Sequence, residues 1–294
     1  MSTLPIEVTA TPTRRPVTVS KLADMYRSGE PMVMVTAYDH PSARIAEDAG
    51  VDLILVGDSA AMVVLGHDST VPVTMDEMVM LAAAVRRGAT SPFIVGDMPF
   101  GSYEGSNELA VANAQRFVKE ARCDAVKLEG GGTSVERARA IVSAGIPVMG
   151  HVGLTPQTAT ALGGFKAQGK TAEAAERVIE EAKALEEAGC FAVVVECVPA
   201  AVGEELTTRL TVPTIGIGAG PSTSGQVLVF HDLLGLREGP DAKFVRRYAE
   251  LREVSVEAVG TWAKDVKAGA YPGPEHAYAI EPSELSVLRD RLSN

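Results

Sequence analysis

Three cysteines, a shortage of positive charge and the lack of any long apolar run narrow this 294-residue sequence before a motif is read. Cys123, Cys190 and Cys197 are odd in number and form no C-x-x-C pair, which argues against a disulfide framework and against a thiolate zinc site. They read as reduced, mostly buried thiols. With 38 acidic against 27 basic residues, the formal charge of -11 repels a polyanion, and no Lys/Arg cluster is interleaved with aromatics. Nucleic acid is not an expected partner. No apolar run reaches the roughly 18 residues needed to span a bilayer, and residues 1–17 contain neither a hydrophobic signal core nor a small-residue cleavage site. A membrane is not expected either, and the default compartment is the cytoplasm.

What is present is ordinary for a globular protein: 46% hydrophobic and 22% charged residues, enough for a sizeable core. Residues 1–17, rich in Thr and Pro and without periodicity, read as a flexible N-terminal tail. Residues 18–294 read as a single catalytic barrel domain with a C-terminal helical extension. Apolar, β-branched runs recur at 32–39, 51–59, 92–99, 124–131, 146–153, 191–199, 212–220 and 225–232. Most are separated by Ala-, Leu-, Glu- and Arg-rich stretches with helical spacing, such as "MDEMVMLAAAVRRG" and "AEAAERVIEEAKALEEAG". Near-continuous apolar strands imply burial on both faces, and eight such units favour an α/β fold of the (β/α)8 TIM-barrel type. The connection "AGPSTS" between the last two runs is too short for a crossover helix, which counts against a regular barrel or against one end strand. Beyond it, 239–269 reads as helix and 283–292 as a short terminal helix.

In such a barrel the chemistry sits at the C-terminal ends of the strands. Several runs end there in polar residues: Asp39, Asp58 with Ser59, Asp97, Lys127 with Glu129, His151, and Glu196. Five carboxylates in one mouth should repel each other or recruit a cation. Oxygen ligands without a Cys/His cluster suit Mg2+, with Asp58 and Asp97 as the candidate ligands. Lys127 and Glu129 share a strand face about 6.6 Å apart at ~3.3 Å per residue, and can line one pocket. Lys127 would hold an anionic substrate group and Glu129 would reach the metal directly or through water. A salt bridge that only closes the barrel mouth explains that pair equally well. Asp58 and Ser59 could cap a helix, Asp97 could form an Asx turn, and His151 could be a hydrogen-bonded barrel histidine. Glu196 follows five apolar residues, a setting that suits a carboxyl poised as a base. Cys197 reads as packing. "GIGAG" (216–220) is a weak phosphate-cradle signal, and "GGTS" before the next helix reads as a loop and helix cap.

Taken together, "VTAYD" (35–39), "VGDS" (56–59), "GHDSTVPVTMDEM" (66–78), "DMPFGSY" (97–103), "VKLEGG" (126–131), "GIPVMGHVGLTPQ" (145–157), "GGFKAQGK" (163–170), "ECVPA" (196–200) and "PTIGIGAG" (213–220) resemble the ketopantoate hydroxymethyltransferase family, from about Val17 to about Ala277. The resemblance implies a phosphoenolpyruvate/pyruvate-type barrel with Mg2+, assembled as a homodecamer. It implies transfer of the one-carbon unit of 5,10-methylenetetrahydrofolate to 3-methyl-2-oxobutanoate, giving 2-dehydropantoate for pantothenate and coenzyme A synthesis. It further implies Asp58, Asp97 and Glu129 at the metal; Asp58, Ser59, Asp97 and Lys127 at the oxoacid; Glu196 as proton acceptor; and His151 as a secondary site residue. One departure is Ser224, where family members commonly place Asp, so that residue's local contact is in question. Two other readings are a folate-independent lyase or mutase of the same barrel superfamily, and a non-catalytic binding barrel.

Overall fold

A computed structural model of the protein describes residues 14–293. Eight parallel strands close into a barrel in chain order. They are β1 (Met32–Thr36), β2 (Leu53–Val56), β3 (Phe93–Asp97), β4 (Ala125–Lys127), β5 (Val148–Gly153), β6 (Ala192–Glu196), β7 (Thr214–Ile217) and β8 (Gly225–Leu228). Each lies inside one of the expected apolar runs, and pairing of Met32 with Gly225 and Val33 with Gln226 seals β1 to β8. Around the barrel run α1 (Val19–Ser28), α2 (His40–Asp48), α3 (Ala60–Val63), α4 (Met75–Gly88), α5 (Asn107–Lys119), α6 (Thr133–Ser143), α7 (Ala172–Glu187), α8 (Ala200–Thr207), α9 (Phe230–Leu233), α10 (Leu251–Lys267) and α11 (Pro282–Leu292).

Most strand positions are apolar because the barrel serves two cores. Leu53, Leu55, Phe93, Val95, Ala125, Met149, Val194 and Ile215 fill the interior together with Leu22 and Met25 of α1. Ile54, Val56, Ile94, Val126, Val148 and Val193 face the helices. Fully burying one such side chain contributes about 1.5–3 kcal/mol, so the period-two alternation holds register from both sides.

The short β7–β8 connection does not break the barrel. Seven residues, 218–224, span about 23 Å when extended, enough to run back past a four-residue strand. No helix is needed. Gln226 Nε2 donates to Gly220 O at 3.0 Å and to Thr223 Oγ1 at 2.8 Å, holding the loop. Ser224 Oγ accepts from Thr214 N at 3.2 Å and its carbonyl accepts from Met32 N at 3.0 Å, so this serine sews the starts of β7 and β1. Its contact is structural.

Three boundaries differ from the expectations. Of the expected tail, 1–13 lie outside the described residues, but Arg14 already binds Gly50 O and Val51 O at 2.6 Å each and pairs with Asp52. Val17 is buried and donates to Ser91 O at 2.8 Å, so the ordered contacts begin before Thr18. The last expected strand stops at Leu228, and His231 and Asp232 sit on the short helix α9. The expected helix from 239 starts only at Leu251. Tyr248 N and Leu251 N donate to Leu233 O and Leu234 O, and Arg247 ties Asp241 to Glu250, so the preceding segment is spent on long-range contacts.

Candidate active site

Strand parity delivers most of the predicted side chains into the barrel mouth. Asp97 follows Phe93 and Val95, Lys127 follows Ala125, His151 follows Met149, and Glu196 follows Ala192 and Val194, all on interior-facing positions. Asp58 has the parity of the outward Ile54 and Val56. The turn into α3 reverses it, and Asp58 N donates to Asp97 Oδ2 at 3.1 Å. Lys127 Nζ donates to Asp97 Oδ1 at 2.7 Å and lies 3.7 Å from Glu129 Oε1. Lys127 at the end of β4 is therefore in a buried ion pair chiefly with Asp97 on the neighbouring strand, with Glu129 as the more distant partner. His151 spans two acids: Nδ1 lies 3.2 Å from Glu129 Oε1, and Nε2 lies 3.2 Å from Glu196 Oε2, in ion-pair range but not aligned as a hydrogen bond. Ser59 Oγ is 2.9 Å from the Tyr38 hydroxyl.

These seven residues line one cavity of about 460 Å3. Asp58, Asp97, Lys127, Glu129 and His151 are each buried, with Glu196 nearer the opening. Burial, Asp97 and Glu129 together push the Asp58 carboxyl well above its ordinary range. Burial also opposes the charge on Lys127, yet Asp97, Glu129 and Asp58 hold the ammonium above a normal lysine. For His151, burial and Lys127 favour the neutral ring, but Glu129 and Glu196 raise it to about 9, an imidazolium at neutral pH. Glu129 is desolvated as well, and Lys127 and His151 hold its carboxyl below the usual range.

Sequence reasoning missed the residue that ties the carboxylates together. Gln157, on the loop after β5, donates from Nε2 to Asp58 Oδ2 at 3.0 Å and to Met98 O at 2.9 Å. Its Oε1 accepts from the Tyr103 hydroxyl at 2.6 Å, and its backbone N donates to Glu129 Oε2 at 3.0 Å. Tyr103 in turn accepts from Glu129 N at 3.2 Å. Gln157 and Tyr103 stand inside "GLTPQ" and "DMPFGSY", but neutral groups off the strand tips carry no charge signal.

Several alternatives fall away. Asp39 is exposed and caps α2, accepting from Ser42 N at 2.8 Å, so it does not join the mouth. Ser59 precedes α3 but makes no side-chain cap, and Asp97 accepts from Lys127 on β4 and from Asp58 N after β2 rather than from its own turn. Thr133 and Ser134 provide no side-chain cap to α6 either, whose N-cap is Gly132. In "GIGAG", a Cβ on Gly218 would lie 2.7 Å from Phe244 and one on Gly220 2.5 Å from Ala200, so these glycines permit close packing. Burial, and then Glu196, push the Cys197 thiol up to about 12. That thiol is not a nucleophile at neutral pH. Cys197 adopts φ 48, and its N donates to Ile217 O at 2.9 Å; this sharp end to β6 fixes the carbonyl of Glu196, which accepts from Leu154 N. Cys123 and Cys190 are free and buried.

Among the described residues no three His, Cys, Asp or Glu side chains form a ready-made metal cage. The donors fit Mg2+ nonetheless, because this ion is commonly held by one or two carboxylates, with water and substrate completing the shell. Asp58 N donates to Asp97 Oδ2, and at the strand tips four carboxylates, Asp58, Asp97, Glu129 and Glu196, face the Lys127 ammonium and the His151 imidazolium. Burial first, and then Asp97 and Glu129, raise the Asp58 carboxyl, and a divalent cation beside it would relieve the part due to repulsion.

Residues 16–274 match the family described as ketopantoate hydroxymethyltransferase. The chain is 54% identical over 287 residues to 3-methyl-2-oxobutanoate hydroxymethyltransferase 1, mitochondrial, of Oryza sativa subsp. japonica, covering 95% of this chain and 79% of that one. It is 54% identical over 265 residues to the 3-methyl-2-oxobutanoate hydroxymethyltransferase of Thermobifida fusca, covering 90% and 94%. Among solved structures, a phosphonopyruvate hydrolase complexed with oxalate and Mg++ superposes with a TM-score of 0.59 at 15% identity, covering 94% of this chain and 96% of that one. A 2,3-dimethylmalate lyase of the PEP mutase/isocitrate lyase superfamily superposes at 0.54 with 14% identity, covering 94% and 98%. At 14–15% identity these two likenesses concern the fold alone, whereas the family match and the 54% identities reach the sequence itself; the protein belongs to the ketopantoate hydroxymethyltransferase family.

Proposed function

We propose that this protein transfers the one-carbon unit of 5,10-methylenetetrahydrofolate to 3-methyl-2-oxobutanoate, giving 2-dehydropantoate and tetrahydrofolate on the route to pantothenate. The observation that carries this reading is the convergence of Asp58, Asp97, Lys127, Glu129, His151 and Glu196 on one cavity. Mg2+ held by Asp58 and Asp97, with Glu129 beside it, would supply Lewis-acid polarisation of the 2-oxo group. Lys127, fixed by Asp97, places a permanent positive charge beside the oxoacid, and Ser59 offers it a hydroxyl. Glu196, at the opening, takes the proton from C3, and the carbanion bonds to the folate methylene carbon; both C–N bonds of that carbon break, water supplies the product's hydroxyl, and the two nitrogens leave protonated as tetrahydrofolate. His151 orients that base from one side while Glu129 fixes the imidazolium from the other.

The reading extends to a cytoplasmic homodecamer. No helix among the described residues is long and apolar enough to cross a membrane. Val254, Val259 and Trp262 of α10 are each more than half exposed, an apolar face suited to contacts between copies. Light scattering that returns a monomer would overturn the assembly. The activity itself is tested by incubating the purified protein with both substrates, with and without Mg2+. Metal-dependent 2-dehydropantoate is expected; none in the presence of metal refutes the function.

A further inference from the structure

The cavity has a second pole that the oxoacid chemistry leaves without a role. After β8 the chain turns into α9, which brings Asp232 into the cavity wall; residues 237–244 then form the rim, with Arg237, Pro240 and Phe244 lining the same space. The Asp232 side chain is only 14% exposed, and its Oδ1 is buried without a hydrogen-bond donor among the described residues. Arg237 Nη1 stands 3.8 Å away, too far for a hydrogen bond, and burial, with Asp241, outweighs its charge and holds the Asp232 carboxyl above its ordinary range. The residue lines the cavity while one of its oxygens lacks a donor, so a small turn of the carboxyl offers an acceptor that a ligand can satisfy.

The position restricts which ligand. The proposed oxoacid contacts stand on the tips of β2, β3 and β4, with the base on β6, so the β8 wall is left for the second substrate. Tyr38 connects the two regions, bonded to Ser59 at 2.9 Å and within the field of Asp232. The surroundings of this pole are Ile217, Val227, Val229 and Phe244, apolar walls suited to a flat ring. A 2-amino-4-oxopteridine presents two parallel donors, N3–H and the 2-amino N–H, with the fork spacing that a carboxylate accepts bidentately.

We propose that Asp232 is the pteridine-recognition residue of the cavity, accepting from N3–H and the 2-amino group of the reduced folate while Phe244 and its apolar neighbours cover the ring. This rests on the folate-dependent reading above and adds to it the subsite that reading lacks. A hydrogen-bonding site rejects an analogue that lacks the donor far more strongly than an apolar pocket rejects a lost methyl.

The test uses the full chain, Asp232→Asn, and two probes, 6-methyltetrahydropterin and its 2-desamino counterpart, titrated by fluorescence. Wild type is expected to prefer the amino probe by at least about tenfold, and Asp232→Asn to lose most of that preference. The KM for methylenetetrahydrofolate should rise by a similar factor in the variant, while folate-free deuterium exchange at C3 of the oxoacid changes by less than about twofold. Equal binding of the two probes by wild type overturns the inference, and does so even where the variant does not fold. A folded variant with wild-type KM, or one that loses C3 exchange but keeps probe discrimination, overturns it as well. Wild type that makes no folate-dependent product refutes the proposed function instead.

Discussion

Replacing Gln157 by Leu removes every polar atom of its side chain while nearly preserving its volume. Three partners lose their bond: Asp58 Oδ2, Met98 O and the Tyr103 hydroxyl proton. Asp58 lines the cavity and can turn to water there, so its loss is largely recovered. Met98 and Tyr103 are both buried, and leaving two such groups unsatisfied costs about 1–3 kcal/mol each, partly offset by the extra apolar burial of Leu, for a net of roughly 2–4 kcal/mol. That is a large part of the stability of a typical domain. In urea the midpoint should fall with the slope unchanged, since the exposed surface on unfolding is the same. Calorimetry should show Mg2+ binding weakened about tenfold, because Asp58 loses the partner that orients it. Gln157→Glu sharpens the test by keeping the shape and the acceptor for Tyr103 while setting a carboxyl against Asp58. Burial and that neighbour raise the folded pKa of the introduced group, so the variant's deficit should grow as pH rises from the unfolded value through the folded one. A Gln157→Leu protein within about 1 kcal/mol of wild type, with unaltered metal affinity, would refute the hub assignment.

Asp58→Asn should stabilise the metal-free protein, since the native carboxyl is raised by burial, Asp97 and Glu129 and so weakens the fold as pH climbs through its folded pKa. Calorimetry on the same variant should show Mg2+ affinity lost, and a thermal midpoint below wild type in chelator would contradict the charge argument. Glu196→Gln should keep metal and oxoacid binding but abolish deuterium exchange at C3; exchange at the wild-type rate would remove Glu196 from the base role. Glu47 accepts from Thr90 N at 2.6 Å and Ser91 N at 3.0 Å, and these donors together with the Ser91 hydroxyl hold its carboxyl below the usual range despite partial burial. Its contribution is present above the unfolded pKa and lost as pH falls through the folded one. Glu47→Gln should therefore cost about 1 kcal/mol at pH 7 and nothing at low pH, and a deficit in urea melts that persists at low pH would sink that account.

The architecture was legible because most barrel strands are buried on both faces, so "LILV" stands out as a short apolar run and "FIVGD" and "AVVVE" as such runs closed by a polar residue. Helical periodicity likewise set α4 and α7, where Thr74 and Thr171 mark the starts as caps. Charged strand tips then marked Asp97, Lys127, His151 and Glu196, since an ionisable group at the end of such a run needs either a partner or a function. That much follows from local pattern and burial chemistry. Tertiary structure alone decided which tips meet. Asp39 and Asp58 look alike at the ends of their runs, yet one turns outward to cap a helix and the other turns inward to Asp97. The same holds for Gln157, which reaches Asp58 across 99 residues of chain, and for 239–250, whose helical composition yields to contacts with α9 and the cavity rim. Periodicity reports the face on which a side chain begins, whereas hydrogen-bond partners about 3 Å away are set by the closure of distant strands, which no local window encodes.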